Sequence, residues 1–267
     1  PISSIGYQEL YVNGCKIGNA VLAPSVTDHK SRARYVTYDI SHYLKKGENV
    51  IALWFGTSWA VFPAYQRNDE PAIPMALAQA EITLTSGSKV RVITDGSWKT
   101  HASPNMLMGY WDAHHFAGEF YDASLEINGW NEVGFDDSDW EEAKVYRPQV
   151  MVSADKTESN LLMNDIKPVA VEEVSPGVYR VDMGINYAGW FEMPLVGQPG
   201  DSVVFCFSER EKDACSYGIH SIYKIGPDGK GTFRNRFNYM TGRWVQITGL
   251  RSAPDFKQIR GWMIRPD

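Results

Sequence analysis

Cysteine is scarce in this 267-residue chain, which holds only Cys15, Cys206 and Cys215. An odd count at scattered spacing fits neither a disulfide framework nor a zinc pattern. Cys206 lies in the apolar run VVFCF and reads as a small core hydrophobe. A Cys206–Cys215 bridge stays as a minority alternative. Long apolar runs are missing too, since no stretch approaches the ~20 residues that a helix needs to cross a bilayer. Nor does one charge dominate. The formal net charge is −6 and the pI about 5.6, so neither nucleic acid nor an anionic membrane is an expected partner. The chain opens on Pro1 with no initiating Met and no signal peptide, and reads as cut from something longer. That leaves the compartment open, with an extracytoplasmic (periplasmic or secreted) location favoured.

Catalytic signatures are equally sparse. There is no HExxH, GxSxG elbow, P-loop or GxGxxG. His114 and His115 are adjacent, so on a strand they would face opposite ways and could not share a metal. His29, His42, His101 and His220 show no ligand spacing. The acid-rich stretch NGWNEVGFDDSDWEEA (128–143) fails the calcium-loop test, because counting from Asp136 the sixth position is Glu141 where a glycine is required. A contiguous run also cannot supply two facing carboxylates for glycoside hydrolysis. It reads as a polar turn in which Asp137 or Ser138 caps a bend and Trp140 packs inward. Glu209 and Glu211 share one face of a strand end, and a solvated terminus is favoured there over a cation site.

What the sequence does contain is strand periodicity and aromatics. ELYVNGCKIG sets Leu10 and Val12 on one face and turns at Asn13-Gly14, a strong hairpin signal. RYVTYDI alternates Val36, Tyr38 and Ile40 against polar neighbours. NVIALWF is apolar on both faces and predicts a fully buried strand. AQAEITLTSGSKVRVITD predicts a hairpin with Ile82 and Leu84 facing Val90 and Val92. SHYLKKG is the one helix candidate before residue 150, capped by Ser41 and ended by Gly47. Alternation fades over 145–172 and resumes beyond. The expected fold is all-β, with two consecutive antiparallel β-sandwich domains at 1–147 and 148–267 and very little helix. Nine Trp and fourteen Tyr can fill such cores, or stack on the apolar faces of sugar rings.

The order of several short motifs carries a resemblance. YVNG, LAP, TD, YD and GEN before a buried strand, followed by DGSWKT, GEFYDASLEINGW and FDDSDWEEA, resemble the N-terminal jelly-roll sandwich of bacterial α-L-rhamnosidases, glycoside hydrolase family 78. VYRVDMGINYAGWFEMPLVGQPGDSVVFCFSERE and FRNRFNYMTGRWVQITG resemble the concanavalin-like sandwich that follows in those enzymes. The resemblance implies a galactose-binding-like first domain lacking its opening strand. It also implies that catalysis, by an inverting pair of carboxylates, belongs to an (α/α)6 barrel downstream of Asp267. No catalytic residue is therefore carried over, and this chain alone is expected to be inactive. The parent would be an α-L-rhamnosidase, its partners the barrel and a rhamnose-containing carbohydrate. The alternatives are a stand-alone carbohydrate-binding module, or a structural sandwich that binds no sugar.

Some sandwiches of this kind bind rhamnose through calcium, using a polar pair in the loop after the buried strand. Here that loop reads Gly56-Thr57-Ser58-Trp59. Two neutral hydroxyls replace the usual carboxylate or amide pair, which argues against calcium, and no cofactor is expected. The candidate sugar-contacting residues are Thr57, Ser58 and Trp59, with Asn105, Tyr110, Trp111 and Asp112 in a loop that could neighbour them, and Glu119, Tyr121 and Asp122. Strand-end hydrogen bonding competes with ligand contact for the last three. In the second domain Met183 and Ile185 replace the family's usual phenylalanine and glutamine. The loss of that amide would remove any contact it makes to the barrel.

Overall fold

A computed structural model describes residues 1–62, 73–109 and 118–266, with the backbone alone for Ser58. Its strands are β1 (Ile2–Ile5), β2 (Tyr7–Val12), β3 (Cys15–Lys16), β4 (Arg32–Val36), β5 (Ile51–Gly56), β6 (Met75–Thr83), β7 (Lys89–Ile93), β8 (Lys99–Thr100), β9 (Asn105–Met108) and β10 (Gly118–Asp122). They continue as β11 (Glu141–Glu142), β12 (Met151–Ala154), β13 (Asn160–Ile166), β14 (Ala170–Ser175), β15 (Val178–Val196), β16 (Ser202–Ser208), β17 (His220–Lys224), β18 (Lys230–Arg234), β19 (Met240–Thr248) and β20 (Arg260–Pro266). Helix among the described residues is confined to short 3-10 turns. The all-β expectation holds. The chain forms two compact units, one of Pro1–Ser103 with Ile127–Thr157 and one of Pro104–Glu126 with Glu158–Asp267.

The first unit has a five-stranded sheet ordered β12-β4-β1-β6-β7, a three-stranded sheet β3-β2-β5 and the small pair β11-β8. The β2–β3 hairpin forms because Asn13 (φ 51°) and Gly14 (φ 83°) both take the left-handed conformation that a tight I′ turn requires. Alternation along β2 then sends Leu10 and Val12 inward to meet Ile2 and Ile17. A second cluster joins Ile5, Ala33 and Ala60. β6 and β7 pair with Ile82 opposite Val90 and Ala80 opposite Val92. Leu84 lies beyond the strand, its N–H donating to the Ser88 carbonyl at 2.8 Å to close the turn.

Three expectations are corrected here. β5 is not fully buried: it is the edge of its sheet, and only Gly56 of its residues is enclosed. β4 stops at Val36, although Tyr38 and Ile40 go on packing against the core. The predicted helix shrinks to a 3-10 turn, Ser41–Tyr43, and Ser41 does not cap it. Instead Asp39 Oδ1 accepts the Ser41 N–H at 2.9 Å, an Asx turn that competes with a longer helix.

The second unit is built on one ten-stranded sheet whose main path runs β13-β20-β15-β19-β16-β17-β10-β9, with β14 and β18 also on β15. β15 serves two sets of partners. Its first part lies between β14 and β19, its later part between β20 and β18. On one flank β19 continues to Gly189 before β18 takes over at Glu192, and on the other β14 gives way to β20 past the register shift between Asp182 and Tyr187. There Gly184, at φ 78°, donates its N–H to Asp182 Oδ1 at 2.7 Å. Met183 fills an apolar slot at 1% exposure and Ile185 is exposed. The core is phenylalanine-rich: Phe205 and Phe233 stack with centroids 4.0 Å apart, and Phe191 packs against both.

The two units are not consecutive in sequence. β12 pairs in parallel with β4 in the first unit, while β9 and β10 pair with one another and β10 runs parallel to β17 in the second. The described residues of the stretch 104–126 thus pack with the later unit, although the sequence order assigns them to the earlier domain. Gly118 makes this possible, because a Cβ there would fall 1.5 Å from the His220 carbonyl oxygen.

Candidate functional site

The candidate residues fall into two groups, one in each unit. In the second unit β10 presents Glu119, whose side chain is 1% exposed. A lone carboxylate cannot be buried cheaply, so it must be surrounded by donors. Asn105 Nδ2 donates to its Oε1 at 3.0 Å, and Asn235 Nδ2 to its Oε2 at 3.2 Å. The Arg236 N–H straddles both oxygens at 3.1 and 3.0 Å, and the Phe237 N–H reaches Oε1 at 2.7 Å. Glu119's own N–H donates to Ser221 Oγ at 3.1 Å. Burial pushes the carboxyl pKa above its ordinary value while the four donors pull it back. Asn235 is itself fixed, its Oδ1 accepting the Phe191 N–H at 3.1 Å. The arrangement ties three stretches of chain together as framework.

Asn105 therefore sits on a strand, β9, and not in a loop. Tyr121 stacks on Tyr223 with centroids 5.3 Å apart, and its hydroxyl donates to Glu126 Oε1 at 2.7 Å. Burial first, and the Glu126 contact second, raise its pKa. Asp122 caps the 3-10 turn Ala123–Leu125, accepting the Ser124 N–H at 3.0 Å, and pairs with Lys224 Nζ at 2.9 Å. Burial works to raise its pKa, but the Ser124 and Lys224 hydrogen bonds prevail and hold it below the usual value. All three of these β10 side chains have partners within the protein.

In the first unit the chain leaves β5 at Gly56 and turns through Ser58–Val61 as a 3-10 helix. Thr57 is helical in backbone, and its carbonyl accepts the Ala60 N–H at 3.1 Å. Trp59 is half-buried and meets Phe62 edge-on at 5.4 Å between centroids. The ring offers an apolar face and the corner offers the Thr57 hydroxyl. Residues 56–62 themselves carry no negative charge of the kind that a hard cation prefers. Tyr110, Trp111 and Asp112 lie outside the described residues.

The acid-rich corner at 128–143 is a turn, but Asp136 holds it in place of Asp137 or Ser138: its Oδ1 accepts the Ser138 N–H at 3.1 Å. Trp140 is half-buried between Phe135 and His101. Glu209 and Glu211 are exposed just past β16. Among the described residues no three His, Cys, Asp or Glu side chains converge as a metal site would need. What sequence reasoning missed was the cradle of Asn105, Asn235, Arg236 and Phe237 around Glu119. Two of its donors are backbone N–H groups, which leave no residue-type signal.

Comparison with known proteins fits this architecture. A profile for the α-L-rhamnosidase N-terminal domain matches residues 1–173, and one for the bacterial α-L-rhamnosidase concanavalin-like domain matches 172–265. An α-L-rhamnosidase of Formosa agariphila is 26% identical over 287 residues, covering 100% of this chain and 30% of its own length. One from Streptomyces avermitilis is 27% identical, covering 97% of this chain and 26% of its own. Among solved structures, α-L-rhamnosidase from Dictyoglumus thermophilum superposes with a TM-score of 0.87 at 28% identity, over 99% of this chain and 30% of that one. The Aspergillus terreus enzyme, at 23% identity and TM-score 0.82 over 100% of this chain and 32% of its own, shares the fold. This chain spans under a third of the length of these relatives. With both profiles matched end to end on a two-unit all-β chain, it belongs to the bacterial α-L-rhamnosidase family, glycoside hydrolase family 78, and comprises that family's N-terminal and concanavalin-like domains.

Proposed function

We propose that this chain is the non-catalytic accessory region of an α-L-rhamnosidase-like glycoside hydrolase acting on rhamnose-containing glycans. Hydrolysis then belongs to the part of the enzyme corresponding to the remaining length of the relatives, an (α/α)6 barrel. The carrying observation is that this whole chain aligns with under a third of each relative. Its deeply buried acid, Glu119, supports the reading because four donors hold it as framework. The test is an aryl α-L-rhamnoside assay on the isolated chain. No turnover is expected, and measurable hydrolysis abolished by removing a carboxylate of this chain would defeat the proposal.

A stand-alone carbohydrate-binding module is the second reading, favoured by the half-buried Trp59 beside Phe62. Glycan-array binding with and without a chelator separates the two. Binding that survives the chelator and disappears in Trp59→Ala supports the module. Binding abolished by the chelator would show that Thr57 and Ser58 do not preclude a calcium site.

A further inference from the structure

The loop that leaves β16 and returns to β17 is gathered at a narrow neck. Ser208 Oγ donates to the Arg210 carbonyl at 2.6 Å and lies 3.2 Å from Ser216 Oγ, which accepts the Glu209 N–H at 3.2 Å. Between these serines Glu209–Ala214 are all exposed. Two of the chain's three cysteines sit at this neck. Cys206 is the register partner of His220 across β16 and β17. Cys215 Sγ lies 3.0 Å from the Ile219 carbonyl, which also accepts the Phe207 N–H at 3.2 Å. One carbonyl thus gathers Cys215 and the residue next to Cys206. Each thiol is the leading influence on the other's proton affinity, both are half-buried, and neither is bridged. Cys15 belongs to the other unit and is exposed.

We propose that Cys206 and Cys215 are an oxidation site, forming a reversible intrachain disulfide across the neck of this loop, with Cys206 attacking and Cys215 resolving. The oxidant is a low-molecular-weight disulfide of the glutathione class. The Cys206 thiolate attacks one of its sulfurs. The small disulfide bond breaks, a mixed disulfide forms on Cys206 and one small thiolate leaves. Cys215 then attacks the Cys206 sulfur, the mixed disulfide breaks, and the second small thiolate departs and takes up the Cys215 proton. Two protein thiols are oxidised and one small disulfide is reduced to two thiols. The neighbouring Cys215, aided by His220, pulls the Cys206 pKa down to about 7 against the opposing effect of burial, whereas the Cys206 sulfur and burial push Cys215 up. Capping Cys206 removes the thiolate charge that disfavours ionisation of Cys215, so the resolving step follows the first.

The experiment is differential alkylation and peptide mapping of the full chain after equilibration with oxidised glutathione, then with dithiothreitol. Oxidation should leave Cys15 as the one cysteine still thiol or glutathione-capped, and give a non-reducing peptide joining Cys206 to Cys215 that dithiothreitol reopens. In Cys215→Ser the glutathione adduct should persist on Cys206. In Cys206→Ser, Cys215 should react about tenfold more slowly or less. Circular dichroism confirms that each variant is folded, and the wild-type map decides the question by itself. A stable glutathione adduct on wild-type Cys206, or a Cys215 still alkylated once Cys206 is oxidised, overturns the proposal.

Discussion

Replacing Glu119 by alanine removes the acceptor around which the second unit is tied. Four donors lose their partner at once: Asn105 Nδ2, Asn235 Nδ2, and the N–H groups of Arg236 and Phe237. Each buried donor left unsatisfied costs roughly 1–3 kcal/mol. The lower end of that range, taken for four donors, gives about 4 kcal/mol. For a cooperative unit of this size that corresponds to a fall in Tm of roughly 10–15 °C. Glu119→Gln should fall between alanine and wild type. With its oxygen on the Oε1 side it keeps the Asn105 and Phe237 bonds and the Arg236 bond to Oε1, but it turns an NH2 towards Asn235 and the other side of the Arg236 N–H, at a cost of about 2 kcal/mol. Calorimetry reads both variants in the transition of the second unit, with the first unit as reference. An alanine variant within ~1 kcal/mol of wild type, or a glutamine variant worse than alanine, would refute the reasoning.

Three further outcomes follow from the geometry. Gly118→Ala should destabilise the second unit by about 3 kcal/mol or more, since the new methyl would meet the His220 carbonyl 1.5 Å away; hydrogen exchange at Phe120–Asp122 reads the loss. Phe205→Ala, which removes one ring of the 4.0 Å stack with Phe233, should cost roughly 3–5 kcal/mol by urea denaturation. Arg251 holds the Asp201 pKa down to about 2 by direct hydrogen bonding. The stabilisation from this pair is present above the ordinary value of 3.8 and is lost as pH falls through about 2. Carbon-detected NMR should follow that titration and find Asp201 back near the ordinary value in Arg251→Met.

Local chemistry in the sequence made much of the fold legible. Asn13-Gly14 is a turn because two consecutive left-handed residues are needed there, and Leu10 and Val12 face inward because the pleat alternates. Readings failed where neighbours outside the window decide. Residues 51–55 are apolar on both sides, yet their strand ends a sheet and stays half-open. Asp39 and Asp136, each two residues before the serine N–H that it accepts, outcompete the caps expected downstream. The surroundings of Glu119 were the least accessible to reading from sequence. Three of its four donors lie 116 to 118 residues away, and two are main-chain groups.

The lending of β9 and β10 to the later sheet has a practical corollary. A gene fragment cut between residues 147 and 148 separates a hairpin from the sheet it completes. The C-terminal piece would expose the β17 edge along Ile222–Lys224, where β10 docks. It would also leave the Asn235–Phe237 donors facing an empty hollow, inviting self-association through the bare edge. During synthesis the hairpin emerges roughly a hundred residues before its docking strand, so it must wait unpaired or find a temporary partner.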